Sequence, residues 1–399
     1  MFIIQRIAYM IMGKFVFGAY KSIQKMRICM ISSVDMANPY GSTTRPYYIS
    51  KNLVEFECEI LHICTKPPEK QEKGIKYLQK KYYKNRFWVV RTTRDIFRMY
   101  KECKNFAPDV LYVHQLSNAL RALPLKYLLK VPFVFDAHGS SVMEINAFSG
   151  NTYYRKKVEI QEGLVLKIAD KIIVVSEELK DFFIEYFGIS EEKIELIKNG
   201  VDTNSLRPAE PDFKIKRELG ISNDDKVIVF TCPRGFFSNN IALKYFFQMI
   251  PKIEERVKEI KFVIIGGGPK FEPPSPNVIY TGFVQDLASY INLGDVCVAP
   301  YPPSAVCGGT RNKVADYFAC GKPVVSTEEG MRGFNDAVPD RDFLLASDSD
   351  DFVKKLLDAL YDEELSKKLG ENARKLALKY DWKVLSKKIY DVFNSYIRE

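Results

Sequence analysis

The chain has 399 residues, of which 46% are hydrophobic and 27% charged, and its formal net charge is +9. That balance excludes a disordered chain and, at roughly 100–200 residues per domain, allows two full cores. No uninterrupted apolar run reaches the roughly 18 residues of a membrane-spanning helix.

Residues 1–25 hold Arg6, Lys14, Lys21 and Lys25 and no acidic residue. At about 100° per residue these cations share one side of a helical wheel, the pattern of a basic amphipathic helix lying in a membrane interface. The rival reading places the true start at Met26, because Met26-Arg-Ile-Cys-Met-Ile reads as the first strand of a doubly wound domain. From there strands are expected at 27–32, 58–64, 88–90, 110–114, 133–136 and 171–175. Helices are expected at 43–54, 95–106, 118–129, 153–168 and 177–187. Strands alternating with helices of this length predict βαβ units and a parallel sheet. The Lys- and Tyr-rich stretch 67–86 reads as a solvated loop and helix face, or else as a basic patch for headgroups or phosphates.

The stretch 198–211, with Gly200, Pro208 and Pro211, reads as a linker. A second series follows, with strands at 227–230, 262–265, 278–280, 296–299 and 324–325. Its helices are expected at 242–257, 286–291 and 312–319, and three more fill 350–397. The fold class is therefore α/β, with doubly wound domains at 26–200 and 201–380 and a last helical segment at 381–399. The eight cysteines form no C-x-x-C pair and only three histidines are present, so the usual zinc spacings are missing. Cys29 and Cys297 lie in apolar runs and read as reduced, packed thiols, which favours the cytoplasm. The basic residues are dispersed and no nucleic-acid module is visible, so nucleic acid is not an expected partner.

In such sheets ligands bind beyond the carboxyl ends of the strands. After the first strand, Gly41 and Ser42 open a helix and offer backbone N–H groups to a phosphate or a sugar hydroxyl. His138 follows the strand at 133–136, where it faces the cleft and can hydrogen-bond a hydroxyl. Gly266, Gly267 and Gly268 let a nucleotide approach the backbone, but the prolines after them argue against a dinucleotide fingerprint. Gly309, Thr310, Arg311 and Lys313 would meet a diphosphate with N–H groups and two cations, and Asp316 could reach a ribose diol.

Taken in order, Asp136-Ala-His-Gly, Ala169-Asp-Lys-Ile-Ile-Val-Val-Ser, Asn199-Gly-Val-Asp, Ile264-Ile-Gly-Gly-Gly-Pro, Gly282-Phe-Val-Gln-Asp and Gly309-Thr-Arg-Asn-Lys-Val-Ala-Asp resemble one family. It is that of the retaining glycosyltransferases of GT-B fold, family four (glycosyl transferases group 1). The resemblance implies two Rossmann-like domains facing a cleft that closes about 198–211. The C-terminal domain would hold a nucleotide diphosphate sugar and the N-terminal domain a lipid-linked or cell-envelope glycan acceptor. No metal or other cofactor would be needed, because helix N–H groups and cations neutralise the leaving diphosphate. His138 would be catalytic, Arg234 would contact the diphosphate, Asp316 would replace the usual ribose-binding Glu, and 381–399 would cross back to the N-terminal domain. The sequence departs from the family pattern at Gly308, where a Glu is common, and at Asn239 or Asn240, where a Lys is usual. Arg311 or Lys313 is expected to take over that charge. The alternatives are a catalytically silent subunit that binds sugar nucleotides and an epimerase on the same fold. The protein is expected in the cytoplasm, peripheral on the inner face of the cell membrane.

Overall fold

The computed structural model describes residues 25–36, 41–70, 72–81, 88–148, 151–233, 235–266 and 272–398, and in it the chain forms two parallel sheets. The first has the order β3-β2-β1-β4-β5-β6-β7. Its strands are β1 (Arg27–Ile31), β2 (Glu59–Cys64), β3 (Ile75–Gln79), β4 (Val110–His114), β5 (Phe133–Ala137), β6 (Lys171–Val174) and β7 (Ile194–Leu196). Every residue of β4 and β5 is buried, as a strand covered on both faces requires. The covering helices are α1 (Thr44–Glu55), α2 (Trp88–Phe106), α3 (Leu116–Leu129), α4 (Ser141–Phe148), α5 (Thr152–Ile168) and α6 (Glu177–Phe187).

The second sheet has the order β10-β9-β8-β11-β12-β13. It comprises β8 (Lys226–Thr231), β9 (Ile260–Ile265), β10 (Val278–Gly282), β11 (Val296–Ala299), β12 (Val324–Ser326) and β13 (Leu344–Leu345). Its helices are α7 (Phe213–Glu218), α8 (Phe237–Glu254), α9 (Leu287–Asn292), α10 (Lys313–Ala319), α11 (Ser349–Tyr361) and α12 (Glu363–Lys379). Strand order reverses between β1 and β4 and between β8 and β11, so each sheet has a switch point where a crevice opens.

The last helix, α13 (Trp382–Arg398), packs against α1. Its Trp382, Leu385, Ile389 and Phe393 are buried in one cluster with Ile28, Met30 and Tyr112 of the first sheet. The two places where the chain passes between halves lie side by side. Val201 N donates to Tyr380 O at 3.0 Å, and Trp382 N donates to Val201 O at 3.2 Å. Gly200 is required there, because a Cβ would meet the Trp382 ring at 2.6 Å.

Three expectations need correction. Residues 88–90 begin α2 and are not a strand. The β-prone Trp-Val-Val is the first turn of a 19-residue amphipathic helix, and the longer pattern wins. The stretch 67–86 is neither a helix face nor a loop throughout, since it contains the edge strand β3. The helix expected at 242–257 runs from Phe237 to Glu254 and carries Pro251 near its end. The amphipathic helix expected at 1–25 lies, apart from Lys25, outside the described residues.

Candidate functional site

The ends of β4 and β5 form one wall of the cleft. His114 and Asp136 are register partners on these strands, and His138 follows two residues later. Asp136 is fully buried, so its charge needs partners. Nε of Arg45, from α1, donates to both carboxylate oxygens at 3.0 Å, and the Tyr112 hydroxyl donates as well. Arg45 Nη1 donates to Lys198 O at 2.8 Å and so ties this carboxylate to the crossing between halves. His114 Nδ1 lies 2.9 Å from His138 Nε2, and each of these nitrogens is 3.7 Å from Asp136. Burial holds the His114 pKa well below its ordinary value, and the neighbouring His138 and Arg45 add to the effect. The imidazole of His114 is therefore neutral.

His114, Asp136 and His138 bring three ligand-type atoms within 4.8 Å of one another. Their donors already face each other, and the Arg45 guanidinium stands against the carboxylate. That is the chemistry of an internal hydrogen-bond network, in which a cation would compete with Arg45 for Asp136.

The opposite wall is the loop from β11 into α10. Arg311 is buried, stacks 3.8 Å from the centre of the Tyr301 ring and pairs with Glu329 at 2.6 Å. It also donates to Ser238 Oγ at 3.1 Å. Lys313 Nζ donates to Asn239 Oδ1 at 3.2 Å and to the Tyr301 hydroxyl. A lysine amine thus sits at one of the two positions where the sequence lacks the expected cation. Burial pulls the Lys313 pKa down to about 7, with Arg311 adding to the effect. Burial raises the Asp316 carboxyl to about 7, and Lys313 opposes that rise. Thr310 and Asn312 hydrogen-bond each other at 2.8 Å, and Asn199 Nδ2 donates to both, at 2.7 and 2.9 Å.

The walls meet backbone to backbone. Ser140 N donates to Gly308 O at 3.1 Å. A Cβ on Gly139 would lie 2.8 Å from Gly308 C, and one on Gly308 would lie 2.7 Å from Ser140 O. A Cβ on Gly309 would run into His138 O. The loop 139–141 is itself braced by buried Glu162, which accepts from Ser140 Oγ at 2.8 Å, Ser141 N at 3.0 Å and Val142 N at 3.1 Å. Lys198 and Asp336 add an ion pair between halves at 2.5 Å.

Of the residues singled out in the sequence, His138, Gly309 and Thr310 come together at this seam. Arg311 and Lys313 lie behind it, with their charges engaged by side chains of the same half. Asp316 is half-buried one turn further along α10. Gly41 has φ +57° and lies 3.8 Å, measured from its would-be Cβ, from Phe236 Cζ on the other half. Gly266, at the end of β9, has φ +108° and a would-be Cβ 2.9 Å from Pro233, so a side chain there would strain two strand ends. Arg234, Gly267, Gly268 and the side chain of Ser42 lie outside what the structure describes. Sequence reasoning missed the roles of Arg45, His114, Asn199 and Tyr301. His114 and Asn199 had a signal, since one ends a buried strand and the other opens the linker motif.

Two family models match the chain. Glycosyltransferase Family 4 covers residues 40–205, and Glycosyl transferases group 1 covers residues 225–362. The sulfoquinovosyl transferase SQD2 of Arabidopsis thaliana is 25% identical over 306 residues, which is 73% of this chain and 58% of that protein. The putative glycosyltransferase EpsD of Bacillus subtilis is 25% identical over 212 residues, 50% of this chain and 53% of that one. The chain thus spans little more than half the length of these curated relatives. Among solved structures, HepE of Anabaena in complex with UDP-glucose superposes with a TM-score of 0.71 at 15% identity, covering 93% of this chain and 100% of that one. WaaG, a glycosyltransferase involved in lipopolysaccharide biosynthesis, gives a TM-score of 0.68 at 14% identity, covering 92% and 99%. At these identities the likeness is one of fold, the two-domain GT-B architecture.

Proposed function

From the premise that the chain belongs to glycosyltransferase family 4, of the group 1 type, we propose that it is a retaining glycosyltransferase. It moves a sugar from a nucleotide diphosphate donor to a lipid-linked or cell-envelope glycan. The observation that carries the reading is the meeting of the His138–Ser140 backbone with Gly308 and Gly309, and of Asn199 with Thr310, at the seam between two switch-point crevices. In this reading the donor nucleotide lies against the second half, with Asp316 on the ribose. The diphosphate faces Gly309, Thr310 and Arg234, and Lys313 and Arg311 lend positive potential from behind. Charge developing on the leaving diphosphate is met by fixed N–H groups and cations, so no metal is required. His138 lies beside the reacting sugar and the incoming hydroxyl, and closure of the seam excludes water. The UDP-glucose bound to HepE supports a nucleotide-sugar donor, and the role of WaaG in lipopolysaccharide biosynthesis supports an envelope acceptor. The protein acts in the cytoplasm, peripheral to the membrane. Among the described residues no helix is long and apolar enough to cross a membrane.

The test is calorimetric titration with UDP, GDP and ADP and their sugar conjugates in the presence of chelator, followed by transfer of labelled sugar to a lipid extract. Binding of one nucleotide with chelator present, and label in the lipid fraction, is expected. Binding without transfer to any acceptor would favour the silent subunit, and absence of all binding would sink the reading.

A further inference from the structure

Helix α5 turns an unusual face to solvent. Tyr153 is 83% exposed, Ile160 62% and Leu164 46%. With Lys157 and Lys167 these residues repeat at spacings of four and three, which places them on one stripe about 21 Å long at 1.5 Å per residue. Arg155 and Lys156 flank the stripe and are also exposed. Among the acidic residues of α5, only Glu159 offsets one of these cations, Lys156. Glu159 is held by Lys156 at 3.2 Å, and Glu162 is buried under the loop 139–141. Helix α3 packs beside α5, has no acidic residue, and exposes Tyr127 and Leu128 near its end, followed by Lys130. Exposed aromatic and aliphatic side chains are thus interleaved with cations along α5, a pattern that soluble surfaces rarely keep without a use.

We propose that the α3–α5 face is the surface by which this protein lies on an anionic phospholipid bilayer. The occupant follows from the charge. A second copy of the chain on this face would set Lys157 and Lys167 against their own counterparts, with only Glu159 to answer them. A bilayer of anionic headgroups answers every cation at once and takes the tyrosines and aliphatic tips into its interface. The face is also continuous with the seam. A groove of about 420 Å³ between α3, α4 and α5 is lined by Leu116, Leu120, Ile145 and Val158, together with Tyr154 and Glu144. The Glu144 carboxyl accepts from the Gly308 backbone. The groove is therefore lined both by residues of α5 and by the residue that holds the Gly308 backbone. This placement rests on the proposed function only for what passes along the groove, namely the head of an acceptor whose lipid stays in the membrane.

The test is co-sedimentation of the full chain with phosphatidylcholine vesicles, with and without phosphatidylglycerol, measured beside donor-nucleotide affinity. The variants are Lys156→Glu/Lys157→Glu and Tyr153→Ser/Ile160→Ser/Leu164→Ser, all at exposed positions. The expected result is binding to the anionic vesicles only, weakened at least about tenfold in each variant, through lost charge in the first and lost apolar insertion in the second. Nucleotide affinity should be unchanged. Variants that bind vesicles like the parent overturn the proposal and assign membrane contact to residues 1–24. A parent that binds no vesicle but sediments as a dimer, which the triple variant dissolves, also overturns it in favour of a second copy. Vesicle binding without nucleotide binding would leave this surface standing while the proposed function fell.

Discussion

His114 Nδ1 and His138 Nε2 stand 2.9 Å apart across the ends of neighbouring strands. The other nitrogen of His114 is buried and has no partner among the described residues. An orphaned N–H is rarer in folded proteins than an orphaned acceptor, so the proton belongs on Nδ1. His114 then donates to His138 Nε2 and fixes the tautomer and ring plane of the residue at the seam. Replacing His114 with Phe should lower kcat about 10–100-fold, the usual cost of losing an orienting partner, and leave donor affinity unchanged. His114→Gln, which keeps a donor, should recover part of the loss. Steady-state kinetics beside nucleotide titration would show it, and a Phe variant with full kcat would rule out the orienting role.

Gly309 has no room for a methyl group against His138 O. Gly309→Ala should wedge the seam open without touching either core. X-ray scattering should report a larger radius of gyration, and transfer should fall by about 10²-fold or more, the scale of a 1 Å misplacement. Thermal unfolding should move little. An unchanged scattering profile with unchanged activity would show that the seam does not close in the working enzyme.

Arg311 and Glu329 form an ion pair with both side chains under one-tenth exposed. Arg332 also pairs with Glu329, at 2.8 Å, so Arg311→Ala removes one of two cations from a buried carboxylate and should cost less than the about 3–5 kcal/mol of a fully unpaired buried charge in chemical denaturation. Changing both residues, to Met and Gln, should recover part of that, because the cost lies in a buried carboxylate left to Arg332 alone. Equal losses in the single and double variants would refute this account.

His62 is fully buried, accepts or donates at 2.8 Å with Ser32 Oγ, and titrates at about 3, chiefly through burial and secondarily through Lys80. An unfolded histidine titrates near 6.5, so below that pH the unfolded chain binds the extra proton. Stability from this residue is complete above about pH 6.5 and is lost as pH falls toward 3, by about 2 kcal/mol at pH 5. His114 acts in the same direction. Denaturation midpoints at pH 7.5 and 5 should differ less in His62→Gln than in the parent. An identical difference in the two proteins would mean that His62 is solvated.

Much of the fold was legible because buried strands advertise themselves. Phe133-Val-Phe and Lys171-Ile-Ile-Val can pack on both faces only inside a parallel sheet. The edge strand β3 was not, since all its residues but Ile75 are exposed or half-exposed and it reads Ile-Lys-Tyr-Leu-Gln, a pattern equally suited to a solvated loop. At the site the glycines and His138 stood out as residue types. Arg45 did not, because it is 91 residues from Asp136 and only the sheet order brings the two together. Nor could spacing show that Arg311 faces Glu329 and Tyr301 rather than the crevice.

The crossing of α13 also sets the order in which the molecule can be finished. The first sheet is made early, but Trp382, Leu385, Ile389 and Phe393 complete its core and are made only after the whole of the second half. Until then the nascent first half exposes the apolar groove beside α1 that α13 will fill. The second half, whose core draws on residues only up to Tyr380, can close before the first is complete. Synthesis therefore runs from the first half to the second, while completion of the two cores runs the other way.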